Sequence, residues 1–228
     1  MKKKPPKNKN KFDEERARNI LEFVFPEKYK DTVLQESPDI YAPDLCIGIE
    51  VTCSIKKNIQ EKFAWTTEIS GMTEKELLER NVKHIRNGDI EVNKLPNGQL
   101  SAGFCCWGSE HDIKSAYIKK LSKLNSHHFK HYKENNLFIF SWMIDKSEVE
   151  REASEIFRLN QQDNRCYQYK FEHLYIYREG LLYCLTLENA NIEEFTVPKD
   201  VMDQISHTSF KKVFGISRDE YYKNSETY

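Results

Sequence analysis

A chain of 228 residues, 39% hydrophobic, 31% charged and 12% aromatic, has the make-up of a globular protein with a heavily charged surface; its length suits one core carrying a large insertion. Thirty-five Lys and Arg against 36 Asp and Glu leave a formal net charge of −1, so bulk charge selects no partner, nucleic acid included, and the placement of charges matters more. No apolar run approaches the roughly 18 residues of a membrane helix, and the opening MKKKPPKNKNK lacks the apolar stretch of a signal peptide, so a cytoplasmic setting without membrane contact is expected.

Residues 1–11 form a basic tail with too little apolar content to order itself. A helix is predicted from Asp13 as N-cap, with Ala17, Ile20, Leu21 and Val24 on one stripe and Pro26 as its stop. DTVLQ (31–35) and LCIGIEVTCSI (45–55) read as strands, separated by SPDIYAPD with a turn at Ala42-Pro43-Asp44. The pattern then changes over 56–110, where a helical stretch around TEKELLERNVKHIRNG precedes two strand-like runs joined by Pro96-Asn97-Gly98; this segment reads as an insertion in a domain spanning 12–187. HDIKSAYIKKLSKLNSHHFKHY (111–132) reads as a helix and NNLFIFSWMID as a strand buried on both faces. SEVEREASEIFRLN is a further amphipathic helix, and FEHLYIYREGLLYCLTL a hairpin turning at Glu179-Gly180. The extension 188–228 shows a short helix near DVMDQIS and little else. Helices alternating with strands imply an α/β protein with a mixed sheet.

None of the six cysteines stands in a CxxC pair, which argues against a zinc ribbon; Cys46, Cys53 and Cys184 lie in apolar runs and read as reduced core thiols. His127, His128 and His131 have no carboxylate or Cys at useful spacing and read as an exposed helix end.

The chemistry-bearing residues are acidic. In IGIEVTC, Ile47, Ile49, Val51 and Cys53 point to one face of a strand, while Gly48, Glu50 and Thr52 point to the other. If the chain turns near Pro43, Asp39 lies on the neighbouring antiparallel strand and approaches Glu50 across the hairpin. Two carboxylates so placed repel unless a cation lies between them, and hard oxygen ligands favour Mg²⁺ or Mn²⁺.

ESPDI followed by GIEVT resembles the PD-(D/E)XK, restriction-endonuclease-like nuclease superfamily: Pro38-Asp39 matches the first element of its motif and Glu50-Val51-Thr52 the second. Thr52 stands where the motif has Lys. In some branches that lysine moves to the following core helix, where Lys120 falls on the inward stripe set by Ile113, Ala116, Tyr117, Leu121 and Leu124, Lys119 points away, and Lys123 is the next candidate. The resemblance covers about half the chain and implies an αβββαβ core with a mixed sheet, an inserted helix-plus-hairpin segment and a C-terminal α/β extension. It further implies phosphodiester hydrolysis on nucleic acid, DNA in the first instance, in a chain able to form a homodimer. Asp39, Glu50 and the Val51 carbonyl would hold Mg²⁺, and Lys120 would orient water or stabilise charge on the phosphorane. Thr52 would bond the water or simply suit a strand, and an acidic residue of the first helix, Glu14, or else Glu36, would complete the site. The rival reading is a nuclease-fold protein without catalysis, serving as a nucleic-acid- or protein-binding module.

Overall fold

A computed structural model describes residues 9–55, 57–79, 90–103, 112–141, 145–162 and 167–217. The chain divides into two compact units, one made of residues 1–54 and 113–228 and the other of 55–112.

The larger unit is α/β, built on a seven-stranded mixed sheet. Helix α1 (Lys9–Val24) and the single turn α2 (Pro26–Tyr29) lead into β1 (Val33–Leu34), β2 (Ile40–Ala42) and β3 (Ile47–Cys53). After the second unit come α5 (Ile113–Leu124), β6 (Glu134–Phe140), α6 (Lys146–Gln161), β7 (His173–Arg178), β8 (Leu181–Thr186), β9 (Asn191–Thr196) and α7 (Lys199–Phe214). The strands lie in the order β1-β2-β3-β6-β7-β8-β9; β3, β6 and β7 run parallel to one another and the other pairs are antiparallel. The central strands read as continuous apolar runs because helices cover both their faces. Leu137, Ile139, Leu174 and Ile176 pack with Tyr117 and Leu121 of α5 and Val149 and Ile156 of α6. On the other face Ile47, Ile49, Val51, Phe138 and Tyr175 pack with Ala17, Ile20 and Leu21 of α1 and Ile205 of α7. Alternation along β3 therefore turns Gly48, Glu50 and Thr52 toward the α5 side.

The smaller unit holds α3 (Lys57–Ile69), α4 (Glu74–Glu79) and an antiparallel pair of β4 (Glu91–Lys94) and β5 (Leu100–Gly103). Gly98 takes φ 84° in their turn, and Ile69, Ile90 and Leu100 form a small core. The sequence signals α4 and the hairpin, with the rest of the expected helical stretch, from residue 80 on, outside the described residues; α3 lacks a clean stripe and escapes it.

Four expectations need correction. Helix α1 begins at Lys9, a turn before the expected cap at Asp13, because Phe12 packs edge-on against Phe210 of α7 at 5.8 Å and gives the early turns a partner. Lys9, Asn10 and Lys11 of the expected tail thus belong to the helix, and residues 1–8 lie outside the described residues. The extension past 188 holds a whole edge strand and a 16-residue helix ended by Gly215 in the left-handed conformation. Cys46 is exposed, with φ 54° in the turn after Pro43, so only Cys184 is a buried core thiol; Cys53 is half-buried, and Cys105, Cys106 and Cys166 lie outside the described residues. Helix α5 stops at Leu124, and residues 125–133 lead to β6 without helix.

Candidate functional site

The β2–β3 register pairs Ile40 with Ile49, so the next step along each strand sets Asp39 against Glu50. Ladder pairing of β2 ends at Ile40, and the Asp39 side chain takes over: its Oδ2 accepts the Val51 amide hydrogen at 2.7 Å. Gln35 holds the approach to this position. Its amide hydrogen bonds the Asp39 carbonyl, and its Nε2 donates to the Ser37 carbonyl and the Tyr132 hydroxyl.

Glu50 is 1% exposed, a charge that burial would penalise heavily without partners. Helix α5 supplies two. Lys120 Nζ lies 2.6 Å from Glu50 Oε2 and 3.4 Å from Asp39 Oδ2; Lys123 Nζ reaches Oε1 and Oε2 of Glu50 at 2.9 and 2.8 Å. One ammonium thus bridges the carboxylates of two adjacent strands while a second closes over the deeper one. Lys119 is exposed on the far side of α5.

The electrostatics follow from this crowding. Burial raises the Asp39 carboxyl above its usual range, as does the charge of Glu50, against the lowering effects of Lys120 and the Val51 amide. Glu14, half-buried on α1, is pushed up to about 6 by burial and then by the charge of Asp39, with a smaller contribution from Glu50. Three carboxylates therefore share one field. Glu36 is exposed. Thr52 is half-buried on the Glu50 face and contributes no charge.

Two features of the site go beyond the sequence reading. Lys123, the second candidate there, bonds both Glu50 oxygens, at 2.9 and 2.8 Å, while Lys120 makes the shortest contact, 2.6 Å. Gly48, two positions before Glu50, leaves room for the Tyr132 ring: a Cβ there would stand 2.7 Å from Tyr132 Cδ2 and 2.9 Å from Pro38 Cγ. A glycine in mid-strand was the available signal for such a close approach.

The donor set suits a hard cation in kind: two carboxylates and a strand carbonyl, enough for an ion that retains several waters. Among the described residues no three His, Cys, Asp or Glu side chains are close enough to form a ready-made ligand cluster, and Glu50 is occupied by lysine. Of the two lysines on Glu50, Lys123 is the more exposed, 44% against 15% for Lys120.

No protein-family model, curated protein or solved structure matches this chain. Among the described residues no helix is long and apolar enough to cross a membrane.

Proposed function

We propose that the chain is a Mg²⁺- or Mn²⁺-dependent phosphodiesterase acting on nucleic acid, with Asp39 and Glu50 as metal ligands. The observation that carries this is the pairing of two buried carboxylates from adjacent strands, bridged by one lysine of the facing helix. A structural ion pair needs one acid; a second buried carboxylate, raised mainly by burial and further by the charge of Glu50, is a strain that a bound cation would relieve.

The chemistry a divalent cation supplies at such a pair is polarisation of the scissile phosphate and acidification of the attacking water. The chain does the rest. Asp39 is aimed by the Val51 amide, and Glu50 is fixed by its place in mid-strand, with the Val51 carbonyl as the third oxygen ligand. Lys120, between the carboxylates, donates to the attacking water or to the phosphorane oxygen that gains charge. Glu14, near 6, accepts a proton close to neutral pH. Thr52 serves as a strand residue, and its lack of charge leaves the lysine role to α5.

A second reading, the same fold without catalysis, is favoured by one observation: Glu50 is already neutralised by two lysines. Oligonucleotide cleavage with Mg²⁺, Mn²⁺ or EDTA decides between them. Cleavage that needs the cation and is lost in folded Asp39→Asn and Glu50→Gln supports the enzyme. Binding without cleavage in either metal supports the second reading.

A further inference from the structure

We propose that the lysine-rich outer face of α5 and the loop 125–133 form the track along which a nucleic acid backbone reaches the Asp39–Glu50 site. The choice of nucleic acid rests on the phosphodiesterase reading; the location of the track rests on charge and geometry alone.

Residues 114–133, KSAYIKKLSKLNSHHFKHYK, hold six lysines and three histidines and no acidic residue, in a chain whose formal net charge is −1. Local neutrality is therefore broken here. Three of the six are spent within the fold: Lys114 pairs with Glu155, and Lys120 and Lys123 with Glu50. Lys119, Lys130 and Lys133 are exposed and make no ion pair among the described residues, and His127 and His128 stand exposed beside them. Lys119 of α5 and Lys130 and Lys133 of the loop thus leave ammonium groups, which bind phosphate oxygens, directed to solvent.

The track is joined to the site. Lys123 Nζ lies 5.6 Å from the centre of the Phe129 ring, tying the helix end to the loop. Lys130 Nζ sits over Tyr132 at 5.1 Å and over Tyr41 at 5.9 Å. Tyr41 pairs with Gly48 on β3, and Tyr132 packs on Gly48, two residues from Glu50 on the same face. Lys123 thus meets Glu50 from the helix, and Lys130 of the loop is tied through Tyr41 and Tyr132 to the strand that carries Glu50. An anionic membrane surface fits less well, because the face carries no stripe of exposed large apolar side chains to enter lipid; Ile118 alone is partly bare.

The test is binding of labelled single- and double-stranded oligonucleotides in EDTA, by fluorescence anisotropy across about 50 to 200 mM salt. The variant Lys119→Glu/Lys130→Glu/Lys133→Glu is compared with Lys30→Glu/Lys199→Glu/Lys211→Glu, which makes the same charge change on elements packed against the opposite sheet face. Vesicles containing phosphatidylserine serve as the competing polyanion. The track variant is expected to lose about tenfold or more in affinity and to flatten the salt slope by about 2 to 3, one phosphate per lysine, with melting temperature unchanged. The control variant is expected to lose much less. Equal losses in both variants, an unchanged slope in the track variant, or binding to vesicles but not oligonucleotides would overturn the proposal. A protein that binds through this face yet never cleaves with Mg²⁺ or Mn²⁺ overturns the phosphodiesterase reading and leaves the track standing.

Discussion

Replacing Lys123 by Met should tighten divalent-cation binding. The two lysines on Glu50 are not equivalent: Lys120 is 15% exposed and touches both carboxylates, whereas Lys123 is 44% exposed and touches Glu50 only. A cation held between Asp39 and Glu50 has to recover at least one Glu50 oxygen, and the half-exposed ammonium is the one that can be released into water. Its contribution is that of a charge-assisted bond discounted for solvent screening, about 1–2 kcal/mol. Removing the competitor should therefore lower the Mn²⁺ dissociation constant by about 5- to 30-fold. Met keeps the length and apolar stem of Lys, and Glu50 retains Lys120, so the fold is expected to survive. Isothermal titration of metal-free wild type and Lys123→Met with Mn²⁺ measures the effect directly, with Glu50→Gln as the variant expected to bind poorly. An unchanged or weaker Mn²⁺ affinity in Lys123→Met would show that the lysine does not hold the cation's place.

Three further outcomes follow from the same geometry. At saturating oligonucleotide, Lys120→Ala should lose about 10² to 10³ in cleavage rate while Lys119→Ala, which acts on binding alone, keeps it, because only Lys120 lies between the carboxylates; matching rates in the two variants would remove Lys120 from the chemistry. Gly48→Ala forces a Cβ into the Tyr132 ring and should destabilise by about 1–3 kcal/mol in chemical denaturation, with partial recovery in the double variant carrying Tyr132→Ala; no recovery would place the strain elsewhere. Burial and Asp39 raise Glu14 from 4.5 to about 6, so the folded state holds this proton more tightly than the unfolded chain, and the stability it lends is full below about 4.5 and lost as pH rises through about 6. Melting temperatures of wild type relative to Glu14→Gln should fall across that window and level off above it; a pH-independent difference refutes the coupling.

The site was legible in the sequence where its geometry is set by strand arithmetic. Period-two alternation turns Glu50 away from Ile49 and Val51, and a short turn near Pro43 sets Asp39 across from it, both local facts. Lys120 was legible as a lysine on an apolar stripe. That Lys123 also reaches Glu50 was harder to read, because a helical wheel gives the direction of a Cβ, while four methylenes let the ammonium bend back over the carboxylate. Cys46 misled for a related reason: it abuts an apolar strand but occupies a turn, and composition does not distinguish the two. The start of α1 and the whole of α7 depend on each other across about two hundred positions, through Phe12 with Phe210 and Asn19 Nδ2 with Ser209 Oγ. No window of local periodicity contains such a pair.

That seam also dictates when the domain can be finished. Glu15 of α1 is 1% exposed, and its carboxylate takes one partner from its own helix, Arg18 at 2.7 Å, and the other from α7, Lys212 at 2.8 Å. On a ribosome, α1 emerges well before α7, and Glu15 must wait for a further 197 residues before Lys212 arrives. Until then Ala17, Ile20 and the α1 face of β3 lack the cover that Ile205 completes, and Glu15 has reason to stay in water. Contacts of such long sequence separation slow folding by loop closure, so the nascent chain passes through a prolonged stage with one sheet face incompletely shielded. A chain ended before α7 would be held at that stage, and ribosome-bound fragments of increasing length should acquire protease resistance abruptly once residue 214 clears the exit tunnel rather than strand by strand.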